Sequence, residues 1–110
     1  MIQVSTSKQF EKEAKHLFKK YKSLVFDVIS LKEKLILNPS LGTPLGKNCF
    51  KIRLAIIDKA QWKSGGARII TYVVSLNEKV VLMSIYDKSE KDNTSSKELK
   101  AMLKEVFFEK

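Results

Sequence analysis

Histidine and cysteine are nearly absent from this 110-residue chain, which has one of each, His16 and Cys49. A structural zinc site takes about four such ligands, so the sequence excludes one. The chain also lacks a Ser-His-Asp set, a Cys-His pair and a glycine-rich phosphate-binding loop. We therefore expect no cofactor, and any catalysis must use lysine, arginine, tyrosine or acidic side chains. His16 follows a helical pattern beside Leu17 and is expected at the surface rather than in a catalytic role.

A long apolar segment is missing as well. No run of apolar residues approaches the roughly 18 to 20 that a membrane-spanning helix needs. The N-terminus has no charged head followed by an apolar stretch, so no signal peptide is predicted. A single cysteine forms no intrachain disulfide, which is typical of a reducing compartment. We expect one domain covering residues 1–110, located in the cytoplasm.

Positive charge is what the chain has in excess. Its 21 basic and 12 acidic residues give a formal net charge of +9 and a pI near 9.7. Such a balance favours a polyanionic partner, which is RNA, DNA, a membrane surface or an acidic protein. Residues 8–22 hold six lysines against two glutamates, a pattern typical of a solvated helix face. Residues 42–70 hold six basic residues against Asp58 alone, and they form the candidate binding surface.

Three helices are predicted from apolar residues at helical spacing. Thr6 and Gln9 fit a capping box at the start of the first helix. A second helix is predicted over Leu24–Leu37, and the short connection between the two indicates an antiparallel helical hairpin. Ser95 and Glu98 fit another capping box, which opens a C-terminal helix.

The strands are predicted from short apolar runs and from alternation with a period of two, at residues 1–4, 50–56, 67–75 and 80–86. Residues 39–48, with two prolines and two glycines, are predicted to be a loop. The resulting order is β-α-α-β-β-β-α. It predicts an α+β fold with a small, curved, mostly antiparallel sheet and the helices on one of its faces.

The second cationic stretch supplies the candidate site. Lys51 and Arg53 share one face of a predicted strand. Arg68 lies on the following strand, in phase with Tyr72. An arginine that opens a central strand is suited to a phosphate or a carboxylate. The alternative is a structural ion pair with one of three carboxylates, Asp58, Glu78 or Asp87.

Three aromatic residues near these cations have two interpretations each. Trp62 lies in a basic connection, where it either stacks on a base or packs over the sheet edge. Tyr72 either lines the face of Arg68 or is ordinary strand packing. Tyr86 ends a strand, where its hydroxyl either reaches a phosphate or has no such role.

One segment resembles a known family. Residues 59–72, KAQWKSGGARIITY, resemble the basic loop and central strand of the RelE/ParE toxin superfamily. The strand Val80–Tyr86 with the following DKSEK resembles that superfamily's last strand and exit loop, and residues 44–54 resemble its preceding loop and strand. The helical pair over residues 10–37 fits too. The resemblance covers nearly the whole chain and is closest to the RelE and HigB-type branches.

This resemblance implies a RelE-like fold and a toxin of a type II toxin–antitoxin system. Toxins of the RelE branch cleave mRNA, typically in the ribosomal A site, and a cognate antitoxin holds them inactive. We therefore expect a metal-independent endoribonuclease whose partners are mRNA, the ribosome and an antitoxin. Two alternatives stay open. One is a ParE-type DNA gyrase poison, and the other is an inactive module that binds nucleic acid or antitoxin.

The resemblance also implies roles for individual residues. Arg68 matches the central-strand arginine that binds the scissile phosphate. Many RelE members carry a second arginine after the last strand and a tyrosine further on, and this chain has neither. That leaves Lys88 and Lys91 for proton transfer, with Tyr86 as a further catalytic candidate. The candidates for RNA binding are Lys51, Arg53, Lys59, Trp62, Lys63 and Tyr72.

Overall fold

The computed structural model describes residues 2–56, 66–74, 78–91 and 93–108. These residues form an α+β fold, which confirms the predicted class, with one strand more than predicted. The elements in chain order are β1 Gln3–Thr6, α1 Lys8–Lys20, α2 Leu24–Leu37, β2 Thr43–Gly46, β3 Cys49–Leu54, β4 Ala67–Val74, β5 Lys79–Asp87 and α3 Ser96–Phe108.

Strand β2 is the added element, and the prediction of a loop over residues 39–48 was wrong there. Gly46 pairs with Cys49 across a tight antiparallel hairpin. The two turn residues between them, Lys47 and Asn48, have φ values of 55° and 62°. Positive φ at both positions is the hairpin conformation that matches the twist of paired strands. Pro44 is tolerated in β2 because the strand lies at the sheet edge, where a missing N–H breaks no inner ladder.

The five strands form one sheet in the order β1-β5-β4-β3-β2. Only the β1–β5 pair is parallel, so the expected mostly antiparallel sheet is confirmed. The register between β4 and β5 shifts after Ile70, which pairs with Ser84, while Thr71 pairs with Leu82. Met83 is therefore the extra residue of a β-bulge, which bends β5 and sharpens the local twist.

Helices cover both faces of this sheet. The α1–α2 hairpin packs on the face that presents Ile69 and Ile85. Helix α3 packs on the opposite face, where Leu99 and Met102 contact the cluster around Ile70. The expectation that all helices share one face was wrong for α3, because β4 and β5 carry apolar side chains on both faces and both need cover. Within the described residues no helix is long and apolar enough to cross a membrane.

The helix caps differ in how well the sequence predicted them. At α1 the cap is Ser7, whose hydroxyl accepts a hydrogen bond from the Phe10 N–H at 3.1 Å. The predicted Thr6–Gln9 capping box is wrong, since the Thr6 hydroxyl donates to Glu11 instead. The Ser95–Glu98 capping box is confirmed at both of its hydrogen bonds, which measure 2.9 and 3.1 Å. This second cap fixes the start of α3 next to the candidate site.

Candidate functional site

A row of three side chains crosses the sheet on the face that α3 covers. Arg53 of β3 pairs with Arg68 of β4, and Arg68 pairs with Tyr86 of β5. Directly opposed residues of antiparallel strands project from the same face, about 4.5–5.5 Å apart at Cβ. Tyr86 belongs to the apolar cluster under α3, which identifies that face. The sequence placed Arg53 and Arg68 on two successive strands, and the structure sets them directly opposite each other across the β3–β4 pair.

Arg68 is the most buried cation of this row, with 2% of its surface exposed. Its Nη1 donates to the Ala67 carbonyl oxygen at 3.2 Å. Burial, followed by the neighbouring Arg53 guanidinium, lowers the pKa of Arg68, and Tyr86 acts in the opposite direction. Two guanidinium groups side by side repel each other, and a phosphate placed against both relieves that repulsion. Asp58, one of the ion-pair partners considered above, lies outside the described residues.

Tyr86 brings an unusual polar atom to the row. Its side chain is 7% exposed, and its buried hydroxyl forms no hydrogen bond with any described residue. Burying a hydroxyl without a partner costs roughly 1–3 kcal/mol. The hydroxyls of Thr71 and Thr94 are also buried without a partner among the described residues. The Tyr86 hydroxyl differs from these because Tyr86 lies beside Arg68, and a ligand would reach it only if the side chains that cover it moved.

A turn after β5 brings Lys91 onto this tyrosine. The backbone N–H groups of Glu90 and Lys91 both donate to the Asp87 carbonyl, at 3.0 and 3.1 Å. This turn places the Lys91 ammonium over the Tyr86 ring, 5.1 Å from its centroid, a cation–π contact. Lys91 also forms an ion pair with Glu98, the capping-box residue of α3. It is therefore held in place from two sides.

Glu98 is a site residue whose second role the sequence did not reveal. Its hydrogen bond from Lys91, followed by the one from the Ser95 backbone, lowers its pKa from 4.5 to about 2. Glu98 therefore stays ionised as the partner of Lys91. The sequence signal for Glu98 was only its place in a capping box.

The remaining predicted residues fall into three groups. Lys51 pairs with Ile70 and lies on the same face as Arg53, half-buried. Tyr72 also lies on that face, but its ring makes an edge-on contact with Phe107 of α3, with centroids 5.8 Å apart. The structure therefore shows a contact for the interpretation of Tyr72 as ordinary strand packing. No contact among the described residues joins the Lys88 side chain to Arg68 or Tyr86. Three further candidates, Lys59, Trp62 and Lys63, lie outside the described residues.

Gly66, directly before β4, lies against the backbone at the end of β3. A Cβ added at this glycine would lie 2.1 Å from the Leu54 carbonyl oxygen, far inside van der Waals contact. The Gly66 carbonyl also accepts a hydrogen bond from the Lys88 N–H at 3.0 Å. The same backbone position therefore ties the start of β4 to both neighbouring strands, directly beside Arg68.

Comparison with known proteins agrees with this architecture. No family model matches the chain. A structure of the isolated E. coli RelE toxin superimposes with a TM-score of 0.56, at 18% identity, covering 94% of this chain and 98% of that one. RelE in the intact E. coli RelBE toxin–antitoxin complex gives a TM-score of 0.57 at 20% identity, covering 79% of this chain and 96% of that one. The chain has the fold of the RelE toxins.

Within this RelE-like fold, a small groove extends the cationic face around the sheet edge. The groove, about 290 Å³, lies where β3 continues past the end of β2. It brings Lys34 of α2 together with Lys51 and Arg53. Lys34 is remote from them in sequence, and its position in the second helix carried no signal for this placement. Lys34 thus joins the cations available to a bound polyanion.

A second cleft, of about 570 Å³, reaches the RelE-like sheet from the side of α1. It ends at Tyr86 and Asp87, and His16 and Glu13 border it. Glu13 accepts hydrogen bonds from the Ser84 hydroxyl at 2.8 Å and from the Ile85 N–H at 3.2 Å. It therefore covers the edge of β5 beyond the end of β1. His16 is exposed there, as the sequence predicted.

Proposed function

We propose that this protein is the toxin of a type II toxin–antitoxin system and cleaves mRNA in the cytoplasm. The observation that carries the proposal is the row of Arg53, Arg68 and Tyr86, completed by Lys91, on one face of a RelE-like sheet. Paired cations suit a phosphate, and the Tyr86 hydroxyl can donate to one of its oxygens once RNA binding uncovers it. The similarity to RelE in complex with its antitoxin supports an antitoxin partner for this chain as well.

The proposed reaction uses the RNA itself as the nucleophile. The 2′-oxygen attacks the adjacent phosphorus, the bond from phosphorus to the 5′-oxygen breaks, and a cyclic phosphate remains on the upstream fragment. Arg68 and Arg53 stabilise the added negative charge of the phosphorane, an effect worth on the order of 10²–10³ in rate for one such donor. The Lys91 ammonium or the Tyr86 hydroxyl gives a proton to the leaving 5′-oxygen. Lys88 is the candidate that accepts the proton of the 2′-hydroxyl.

The ribosome has a place in this proposal because the row of Arg53, Arg68 and Tyr86 offers few acid–base groups. Holding the 2′-oxygen in line with the leaving oxygen lowers the barrier without further protein groups. A ribosome that presents mRNA in a bent conformation supplies such alignment. We therefore expect cleavage of translated mRNA to be faster than cleavage of the same RNA in free solution.

Primer extension on mRNA from cells briefly expressing the protein tests the proposal. Wild type should produce prompt cuts within reading frames, and Arg53→Ala should reduce them by about 10²-fold. Arg53 is exposed, so its replacement leaves the core intact, and Arg68→Lys tests the buried partner without removing its charge. Lys104→Ala, on the exposed side of α3, is the matched control and should cut like wild type. Circular dichroism verifies that each variant is folded.

Two other outcomes would each favour one of the alternative functions, the gyrase poison or the inactive module. Growth arrest with intact mRNA would refute the nuclease and favour inhibition of DNA gyrase, which a supercoiling assay measures directly. No arrest and no cuts, with the antitoxin still bound, would indicate a module that has lost its activity.

A further inference from the structure

The turn after β5 carries two of the groups proposed for proton transfer, Lys88 and Lys91. The Lys88 N–H donates to the Gly66 carbonyl at 3.0 Å, and the Lys91 N–H donates to the Asp87 carbonyl at 3.1 Å. These bonds set the backbone path of the turn. The side chain of Asp87 anchors the start of the same turn, and it does so from the other face of the sheet.

Asp87 is the buried carboxylate around which the turn is built, with 1% of its surface exposed. Its Oδ1 accepts hydrogen bonds from the Ser89 N–H at 2.9 Å and from the Ser89 hydroxyl at 2.8 Å. Its main-chain carbonyl accepts from the N–H groups of Glu90 and Lys91. Three successive residues of the turn are therefore bonded to one residue, so a displacement of Asp87 moves Lys91 with it.

Tyr21, directly after α1, holds the other carboxylate oxygen. Its hydroxyl donates to Asp87 Oδ2 at 3.0 Å, and the tyrosine is itself buried. Successive residues of a strand project from opposite faces, so Tyr86 points towards α3 and Asp87 towards α1. Lys20 adds an ion pair with Glu90 at 3.9 Å, but exposed pairs of this kind contribute little. The buried Tyr21–Asp87 contact is therefore the main tie between α1 and the turn.

We propose that Tyr21 and Asp87 are positioning residues for the cleavage site, which act from the opposite face of the sheet by fixing the turn that holds Lys91 over the Tyr86 ring. Taking a carboxylate out of water is costly, and even well-bonded buried charges often add little net stability. Stability alone is therefore a poor explanation of the pair, whereas a fixed turn needs strong, directional bonds of this kind. The consequence for catalysis rests on the proposed function, but the position of Lys91 does not.

Nuclear magnetic resonance of the full chain, without RNA, tests the position of Lys91. A methylene group close over an aromatic ring has its proton signals shifted upfield, so the Lys91 Hε signals report the contact with Tyr86. Tyr21→Phe removes only the donating hydroxyl. We expect it to reduce this upfield shift and to speed exchange of the Lys91 amide proton by about tenfold. Asp87→Asn replaces the carboxylate by a weaker acceptor and should have the same two effects.

Ser84→Ala is the matched control. The Ser84 hydroxyl is also buried and donates to a carboxylate of α1, that of Glu13, at 2.8 Å, but neither residue belongs to the turn. We expect this variant to keep the Lys91 shift, the amide exchange and the cleavage rate of wild type. Tyr21→Phe should cleave a translated mRNA about tenfold more slowly in a single turnover, because small misplacements of reacting groups lower rates strongly. Its binding of 2′-O-methyl RNA should stay unchanged.

Each outcome bears on the position of Lys91 or on its consequence for catalysis. An unchanged Lys91 shift in both Tyr21→Phe and Asp87→Asn would overturn the proposal, and so would an equal change in Ser84→Ala. A displaced Lys91 with cleavage at the wild-type rate would also overturn it, since the turn would then have no bearing on the reaction. A wild-type chain that cuts no mRNA, while its variants show the expected shifts, would support the positioning of Lys91 and contradict the nuclease alone.

Discussion

At the scale of single residues, the hydroxyl of Tyr86 is expected to affect stability and activity in different ways. It is buried beside Arg68, and no described residue hydrogen-bonds to it. Removing an unsatisfied polar atom without changing the shape of the ring is nearly neutral or stabilising. The same atom is one of two proton donors proposed for the leaving 5′-oxygen. A single change therefore moves the two properties in different directions.

Tyr86→Phe should leave the free energy of unfolding unchanged or raise it by up to about 1 kcal/mol, and the melting temperature should follow. Single-turnover cleavage of a translated mRNA should fall, on the order of 10²-fold if the hydroxyl donates the proton. Tyr72→Phe is the matched control, since that ring packs against Phe107 and its hydroxyl is not one of the proposed proton donors. A loss of stability together with unchanged cleavage would show that the Tyr86 hydroxyl is structural.

The ionisation of Glu98 makes the stability of the fold depend on pH. Its folded-state pKa of about 2 lies below the ordinary 4.5, so ionised Glu98 favours the folded state. That contribution is complete above its unfolded pKa and is lost as the pH falls from about 4.5 through 2. Glu98→Gln keeps an oxygen for the Ser95 N–H and removes the charge that Lys91 pairs with.

Wild type should therefore melt at a higher temperature than Glu98→Gln at pH 7, and the difference should disappear towards pH 2. Thermal unfolding followed by circular dichroism between pH 2 and 7 measures this. Glu33→Gln, an exposed glutamate of α2, makes the same charge change and should give no such pH-dependent difference. A gap between wild type and Glu98→Gln that persists at pH 2 would rule out the Lys91 ion pair as its origin.

At the scale of elements, the approach of β4 to β3 depends on one glycine. Gly66→Ala places a Cβ against backbone, which cannot rotate away as a side chain can. We expect a loss of about 1–3 kcal/mol in unfolding free energy, typical of overpacking, with reduced cleavage because Arg68 moves. At Gly46 an added Cβ meets nothing within 4 Å, but φ is +87°, so Gly46→Ala costs about 1 kcal/mol of backbone strain. Urea unfolding should rank Gly66→Ala as the more destabilised, and the reverse order would contradict the close contact.

The elements also show where sequence patterns were sufficient. The helices and the three longer strands follow from apolar spacing, because each buries a continuous stripe or face. Strand β2 was missed because its residues, TPLG, have low strand propensity, and its pairing depends on a turn with positive φ at Lys47 and Asn48. The face that α3 covers was missed as well. Apolar residues on both sides of β4 indicate burial, but they do not assign a particular helix to either side.

At the scale of the whole molecule, the candidate site depends on register between strands. The phase of Arg53 and of Arg68 within their own strands was readable from the sequence, and both proved to share a face with Tyr86. The sequence could not predict that Arg53 and Arg68 lie directly opposite each other, because shifting one strand by two residues keeps the same side chains on the same face. Lys34 and Glu98 come from helices and reach the site only through tertiary packing. The roles proposed for Lys59, Trp62 and Lys63 stay predictions.

Cationic side chains lie on both sides of the sheet, with Lys51 and Arg53 on the face that α3 covers and Lys15 and Lys19 on α1, and salt dependence distinguishes the two groups. For single-stranded RNA the logarithm of the binding constant falls against log salt with a slope of about 0.7 per phosphate neutralised. Lys51→Ala/Arg53→Ala should therefore reduce the slope by about 1.4. Lys15→Ala/Lys19→Ala removes the same charge from the α1 side and should leave it unchanged. Anisotropy with 2′-O-methyl RNA, which lacks the nucleophile and stays intact, measures both. Equal reductions would mean that RNA responds to the overall charge of the molecule, and the Arg53–Arg68 face would lose its claim to be the RNA-binding surface.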